Sequence, residues 1–130
     1  MQRHILVIDD EQSVRDAFEL ALESCGYHVD TAVSGEDGLR KATASRPDLV
    51  FLDLRMPGMG GVETLRQLKR LDPRIPVYVV TAFYQAYLEP LRELLEEGIN
   101  FQLAKKPLAA EDIREIARSV FEGPEARLHE

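Results

Sequence analysis

The chain has 130 residues, a length typical of one domain, with 45% hydrophobic and 30% charged residues. Its net charge of −7 argues against direct binding to nucleic acid or to an anionic membrane surface. With one cysteine, no apolar run of membrane length and no signal peptide, we expect a cytoplasmic protein without an internal disulfide, in which Cys25 packs at the end of a helix face.

Strand and helix patterns alternate along the chain. Apolar residues at three- and four-residue spacing indicate amphipathic helices, and short apolar runs closed by turn residues indicate buried strands. In the first half these patterns predict a strand at 5–8, a helix at 14–25, an edge strand at 27–33, a helix at 35–44 and a buried strand at 49–52.

In the second half the same patterns predict a helix at 62–71, a strand at 77–80, a helix at 84–97, a strand at 100–104 and a helix at 113–120. Pro90 falls inside the fourth helix, so that helix should begin later or be kinked. Five strands alternating with five helices predict a doubly wound, flavodoxin-like α/β fold, with a parallel sheet of order 2-1-3-4-5 and five flanking helices. We expect residues 1–122 to form this domain and residues 123–130 a short polar tail.

Four of the five predicted strands end in polar residues, and parallel strands open at one edge of the sheet. Clustered carboxylates raise one another's pKa unless a cation neutralises them, and oxygen ligands suit Mg²⁺. A metal, a lysine and a hydroxyl could hold a phosphoryl group while a carboxylate attacks it to form an acyl phosphate. The residues concerned are Asp9, Asp10, Asp53, Thr81, Lys105 and Lys106.

The segments LVIDDE, LVFLDLRMPGMGG, VVTA and KKP, in this order, resemble the receiver domain of two-component response regulators over about residues 5–121. This resemblance implies that Asp53 is the phosphoacceptor. It further implies that Asp10 binds Mg²⁺ directly, that Asp9 binds it through a water, and that the backbone carbonyl of Arg55 is another ligand.

By the same resemblance Thr81 contacts the phosphoryl group, and Lys106 pairs with it beside a cis Lys-Pro bond. Lys105 is the alternative, because its spacing from Gly98 is the usual one for the family. Leu103 stands where the family has an aromatic residue whose rotation reports phosphorylation. Phe101, two residues earlier on the same side of the strand, could replace that residue.

The resemblance also implies partners. A histidine kinase, a phosphotransfer protein or a small acyl phosphate would donate the phosphoryl group, and the protein would signal through protein contacts rather than act as a conventional enzyme. We expect the surface formed by the fourth helix, fifth strand and fifth helix to change shape and to bind a partner or a second copy of the chain. A stand-alone receiver and a piece of a longer regulator are both compatible with the sequence.

Two other functions on related folds fit the residues less well. A phosphatase of the haloacid dehalogenase type needs a second acid two residues after the nucleophile, where this chain has Arg55. A nucleotide- or flavin-binding module needs a glycine- or hydroxyl-rich loop after the first strand, where this chain has three acids. The histidines, His4, His28 and His129, show no metal-ligand spacing and are interpreted as structural or exposed.

Overall fold

The computed structural model describes residues 2–123, so the predicted tail beyond Gly123 lies outside the described residues. Within this range five strands alternate with five α-helices, and one 3₁₀ turn precedes the fourth helix. The elements in order are β1 His4–Ile8, α1 Gln12–Glu23, β2 His28–Ala32, α2 Gly35–Ala44, β3 Leu49–Leu52, α3 Gly60–Leu71, β4 Val77–Thr81, the 3₁₀ turn Tyr84–Tyr87, α4 Leu88–Glu96, β5 Gln102–Lys105 and α5 Ala110–Glu122.

The five strands form one parallel sheet in the order β2-β1-β3-β4-β5. The predicted doubly wound fold and strand order are therefore confirmed, and β2 lies at an edge as its alternating pattern indicated. β3 lies at the centre, and all four of its side chains are buried. The central position of β3 brings the residue that follows it, Asp53, to the middle of the carboxyl edge of the sheet.

The core lies on both faces of the sheet because successive strand residues point to opposite sides. Leu52 packs with Leu65 and Leu94 on the face covered by α2, α3 and α4. Phe51 packs on the other face, where its ring meets Phe18 of α1 edge-on at 5.1 Å between centroids. Burying side chains of this size stabilises the fold by roughly 1.5–3 kcal/mol each. The two packed faces hold the sheet rigid beneath the residues at its edge.

The fourth helix begins later than residue 84, which is one of the two outcomes expected from Pro90. The predicted helix over 84–97 divides into the 3₁₀ turn and a later α4, which starts at Leu88 and places Pro90 in its first turn. A proline is tolerated there because the first amides of a helix have no intrahelical partner. Within residues 2–123 no helix combines the length and apolar character needed to cross a bilayer.

Several element bounds differ from the sequence predictions by two or three residues, and two of the differences have a clear structural cause. β5 begins at Gln102 rather than at residue 100, because the turn after α4 extends to Ile99, whose amide donates to the Leu94 carbonyl at 2.9 Å. Cys25 is exposed rather than packed. Because α1 ends at Glu23, Cys25 lies in the turn beyond the apolar helix face.

Candidate functional site

Backbone hydrogen bonds continue one residue past three strands and fix the positions of Asp9, Asp53 and Lys106. Each of these residues follows the end of its strand, and each donates its amide to the carbonyl of the last residue of a neighbouring strand, at 3.0 to 3.1 Å. The ladder thus holds their backbones at one edge of the sheet. The Lys106–Pro107 peptide is cis, as the family resemblance implies.

The three aspartates lie together at this edge. Oxygen atoms of Asp9, Asp10 and Asp53 all lie within 4.8 Å of one another. Asp9 and Asp53 are 3% and 6% exposed, whereas Asp10 is exposed. Hard divalent cations such as Mg²⁺ take oxygen ligands of this kind. The donor set therefore fits the metal that the sequence led us to expect.

Lys106 faces the acid cluster and Lys105 does not. The Lys106 Nζ lies 2.7 Å from Asp9 Oδ2 and 3.6 Å from Asp53 Oδ1. The Lys105 Nζ instead lies 4.2 Å from the centroid of the Tyr84 ring. Adjacent residues on a strand point to opposite sides, so only one of the two lysines can reach the cluster.

Asp9 has both carboxylate oxygens occupied. Its Oδ1 accepts a hydrogen bond from the Glu11 amide at 2.9 Å, and its Oδ2 accepts a hydrogen bond from the Lys106 ammonium group. Glu11 occupies the N-cap position of α1, but its side chain makes no capping hydrogen bond.

The charge state of Asp53 reflects its burial. Desolvation and, next, the negative charge of Asp9 raise the pKa of Asp53 to about 6, although Lys106 lowers it in part. Burial by itself lowers the pKa of Lys106, but its hydrogen bond to Asp9 and the charge of Asp53 outweigh that effect and raise it. At neutral pH the site therefore holds carboxylates beside a fixed ammonium group.

Thr81, the last residue of β4, is fully buried. Its hydroxyl accepts the Phe83 amide at 3.1 Å, a local hydrogen bond of the kind that threonine side chains commonly make to the backbone in turns. Beside it an open cleft of about 550 Å³ exposes the acid cluster to solvent. The cleft is lined by Asp10, Glu11, Asp53, Arg55, Met56, Pro57, Ala82, Phe83 and Lys106.

Gly61 allows α3 to pack directly against the chain that carries Asp53. A Cβ at this position would lie 2.4 Å from the Asp53 carbonyl oxygen and 2.3 Å from Leu54 Cα. No larger residue fits without moving backbone. The Gly61 amide also donates to the Leu54 carbonyl at 3.0 Å. This close contact fixes the loop that follows Asp53.

Sequence reasoning missed two side-chain groupings. The contact between Arg55 and Phe83, 4.5 Å from guanidinium carbon to ring centroid, depends on loop geometry that the sequence pattern does not reveal. At the opposite end of the sheet His4, His28 and Asp30 come together. The sequence offered one signal for this cluster. His4 immediately precedes the first predicted strand, His28 lies at the start of the second, and these two strands are neighbours in the predicted sheet order.

Comparisons with known proteins agree with this geometry. A sequence profile of the response regulator receiver domain matches residues 5–118. Sporulation initiation phosphotransferase F of Bacillus subtilis is 34% identical over 118 residues, which are 91% of this chain and 93% of that protein. The CheY-like receiver domain protein of Methanospirillum hungatei superposes with a TM-score of 0.83 at 28% identity, covering 97% of this chain and 99% of that one.

Other relatives are longer. The alkaline phosphatase synthesis transcriptional regulatory protein PhoP of Bacillus subtilis is 32% identical over 93% of this chain but only 49% of its own length. The chain spans between about a quarter and a half of the length of the curated transcriptional regulators that it matches. What all these proteins share with it is the domain described above. The chain belongs to the receiver domain family of two-component response regulators.

Proposed function

We propose that Asp53 is the phosphoacceptor of this receiver domain, and that a histidine kinase, a phosphotransfer protein or a small acyl phosphate supplies the phosphoryl group. One observation carries the proposal: Asp53 is a buried carboxylate whose neighbours in an open cleft are two further aspartates and Lys106. Such a cleft admits a phosphoryl donor and surrounds the carboxylate with the charges that phosphoryl transfer needs.

In this reaction a carboxylate oxygen of Asp53 attacks phosphorus in line with the leaving group. The bond between phosphorus and the donor atom, a nitrogen in a phosphohistidine, breaks as the acyl phosphate forms, and the electron pair stays with the donor. Lys106, 3.6 Å from Asp53 Oδ1, is placed to pair with the transferred phosphoryl oxygens. Because an ammonium group has three N–H donors, Lys106 can do so while it keeps its hydrogen bond to Asp9.

Asp10, Asp53 and the backbone carbonyl of Arg55 would hold Mg²⁺, and Asp9 would contribute through a water. When bound, Mg²⁺ supplies positive charge that offsets the repulsion among the carboxylates and the incoming phosphoryl group. The arrangement of Asp9 supports its indirect role, because both of its oxygens already accept hydrogen bonds from protein groups.

Thr81 links the phosphoryl group to the rest of the protein in this proposal. Its hydroxyl oxygen accepts the Phe83 amide, and its own proton is available to donate to a phosphoryl oxygen. Movement of the side chain toward that oxygen would lengthen the contact with the Phe83 amide and loosen the start of the loop before α4. Leu103 lies where relatives carry an aromatic residue, and it is 39% exposed on the edge strand β5. The response to phosphorylation is therefore expected in Phe101 and in α4 itself.

The surface formed by α4, β5 and α5 is the proposed output surface. Leu88 and Leu95 of α4 are each 54% exposed, and with Leu103 they border a groove of about 340 Å³ whose lining includes Phe101. Exposed apolar side chains grouped in this way are typical of a protein contact. We propose that a partner protein docks here after phosphorylation, or that a second copy of the chain does so.

Tyr84 and Tyr87, which precede α4, contribute less to this surface than its leucines do. They lie in the 3₁₀ turn rather than in an α-helix, although residues three apart in such a turn still share a side. Tyr87 packs against the core, and the ring of Tyr84 faces Lys105. The leucines of α4 therefore provide most of the apolar area that a partner could cover.

The proposal keeps the other expectations from the sequence. Residues 1–122 act as one receiver domain whose chemistry is limited to its own phosphorylation and dephosphorylation, in the cytoplasm where an ATP-dependent kinase can reach it. Neither nucleic acid nor membrane is a direct partner. Whether the chain acts alone or as part of a longer regulator does not alter the chemistry at Asp53.

Intact mass after treatment with acetyl phosphate and Mg²⁺ tests this function. We expect the mass of one phosphoryl group to be added to the wild-type chain and none to be added to the Asp53→Asn variant. Asp16→Asn, which changes an exposed aspartate on α1, is the matched control and should be labelled like the wild type. Labelling of the Asp53→Asn variant at the wild-type level would refute the assignment.

A further inference from the structure

The amino ends of β1 and β2 bring two histidines and an aspartate together at the end of the sheet opposite Asp53. His4 pairs with His28 in the strand register, and their ring centroids lie 5.1 Å apart. His4 Nε2 lies 2.8 Å from Asp30 Oδ2, and His28 Nε2 lies 3.6 Å from the same oxygen. One ligand atom from each of the three residues lies within 4.8 Å of the others.

We propose that His4, His28 and Asp30 bind one divalent transition-metal ion, with Zn²⁺ as the first candidate. Imidazole nitrogens together with a carboxylate suit zinc and its neighbours in the periodic table, whereas Mg²⁺ prefers oxygen ligands alone. The cluster is therefore chemically distinct from the acid cluster around Asp53. This inference does not depend on the function proposed for Asp53.

The spacing of the donors fits such an ion. Ligands bound to tetrahedral zinc at about 2.0–2.2 Å lie about 3.3 Å from one another. The two distances to Asp30 Oδ2, 2.8 and 3.6 Å, lie on either side of that value, so a small adjustment of the exposed His28 and Asp30 side chains would bring all three donors to this spacing. Asp30 and His28 are 43% and 56% exposed, which leaves room for water as a fourth ligand.

His4 is held in place for this role. Its amide donates to Asp48 Oδ2 at 2.8 Å, and its carbonyl accepts the Asp48 amide at 2.7 Å. Its Nδ1 lies 3.4 Å from the Arg46 carbonyl oxygen. A proton on Nδ1 that points to this carbonyl leaves Nε2 free for a metal, which is the usual arrangement of a metal-binding histidine.

The ordinary explanation is an ion pair between His4 and Asp30 that binds no metal. That explanation gives His28 no essential part, since its nitrogen lies beyond hydrogen-bond distance of Asp30. A metal site requires all three side chains. The contribution of His28 to Zn²⁺ binding therefore separates the two explanations.

The test is calorimetric titration of the full untagged chain with Zn²⁺, followed by titration with Co²⁺ read by visible absorption. The Cys25→Ser background removes an exposed thiol that could bind zinc, and excess Mg²⁺ occupies the acid cluster. We expect one Zn²⁺ per chain, the intense absorption of four-coordinate Co²⁺, and a rise in Tm with Zn²⁺. His28→Gln and Asp30→Asn should each weaken Zn²⁺ binding by at least about tenfold. Loss of a residue that only supports a metal ligand already weakens binding by about that much, and loss of a ligand itself should weaken it more.

Two controls locate the ion. His129→Gln changes the remaining histidine and should leave the Zn²⁺ affinity unchanged, and so should Asp10→Asn combined with Asp53→Asn in the acid cluster. The proposal is wrong if the chain shows no Zn²⁺ binding, if His28→Gln binds Zn²⁺ as tightly as the wild type, or if the double variant of the acid cluster abolishes the binding. Because His28 is exposed, its replacement is not expected to impair folding.

Discussion

The guanidinium carbon of Arg55 lies 4.5 Å from the centroid of the Phe83 ring. The two residues stand two positions beyond Asp53 and Thr81, on the loops that follow β3 and β4, and both line the cleft. A cation over an aromatic face is attracted by the ring quadrupole. This contact joins the two loops beside the carboxylate, and we expect it to shield a phosphorylated Asp53 from water.

Replacing Phe83 by alanine should therefore shorten the lifetime of the phosphorylated protein. Loss of a cation–π contact worth about 0.5–1 kcal/mol corresponds to hydrolysis about two- to fivefold faster. The measurement is the decay of phosphorylated chain followed by intact mass. Tyr84→Ala, next in sequence but facing Lys105, is the control and should decay like the wild type. Equal decay of the Phe83→Ala variant and the wild type would mean that this ring does not shield the site.

Phosphorylation should require a divalent cation because Asp9, Asp10 and Asp53 repel one another and the incoming phosphoryl group. We expect labelling by acetyl phosphate to be lost in excess EDTA and restored by Mg²⁺. Asp10→Ala should abolish labelling even with Mg²⁺ present, whereas Asp16→Ala should not. Labelling at the wild-type rate in EDTA would show that the cluster works without a metal.

The raised pKa of Asp53 predicts a pH-dependent stability. Burial raises this pKa to about 6, above the unfolded value of about 3.9. Above pH 6 the carboxylate is charged in both states and destabilises the fold, and this effect fades as pH falls from about 6 to about 4. In EDTA, Asp53→Asn should thus raise the free energy of unfolding at pH 8 by ~1–3 kcal/mol, roughly the energy equivalent of this shift.

Denaturant unfolding of both proteins at pH 8 and pH 4 measures this difference. Most of the gain should disappear at pH 4, where Asp53 is protonated in the folded chain and about half protonated in the unfolded chain. Asp16→Asn, at an exposed position, controls for a general loss of negative charge. A gain of the same size at both pH values would mean that burial of the charge is not its cause.

Most of the fold and the identity of the residues at the sheet edge could be predicted from the sequence. Apolar runs that end in polar residues located the strands, and parallel connectivity implied that Asp9, Asp10 and Asp53 converge. Where side chains point could not be predicted in the same way. Lys106, the lysine beside the proline, lies nearest Asp53, as expected. Which of the two lysines faces the acid cluster depends on the path of β5, because Lys105 points to the other side.

Errors arose where local structure depends on tertiary contacts. The start of β5 was placed two residues early, because the turn that ends α4 uses Ile99. Cys25 was expected to be packed, but the helix ends before it. The proximity of His4 and His28 could not be read from their spacing, since it arises from pairing of two strands separated by a helix.

Amide exchange with and without a beryllofluoride phosphoryl mimic should show where the signal leaves the site. We expect altered exchange from Ala82 through α4 to Leu103, because movement of the Thr81 side chain toward the phosphoryl group weakens its hydrogen bond with the Phe83 amide. Leu95→Glu, at an exposed position on α4, should leave phosphorylation intact but weaken partner binding or self-association. Unchanged exchange across residues 82–103, with changes elsewhere, would place the output on another face.

The central claim, that Asp53 carries the phosphoryl group, is tested most directly by locating the modified residue. Borohydride reduces an aspartyl phosphate to homoserine, and peptide mass spectrometry then identifies the position that has changed. After treatment with acetyl phosphate and Mg²⁺ we predict homoserine at position 53 and unmodified aspartate at positions 9 and 10. Homoserine at another position, or phosphorylated chain with none at position 53, would contradict the account.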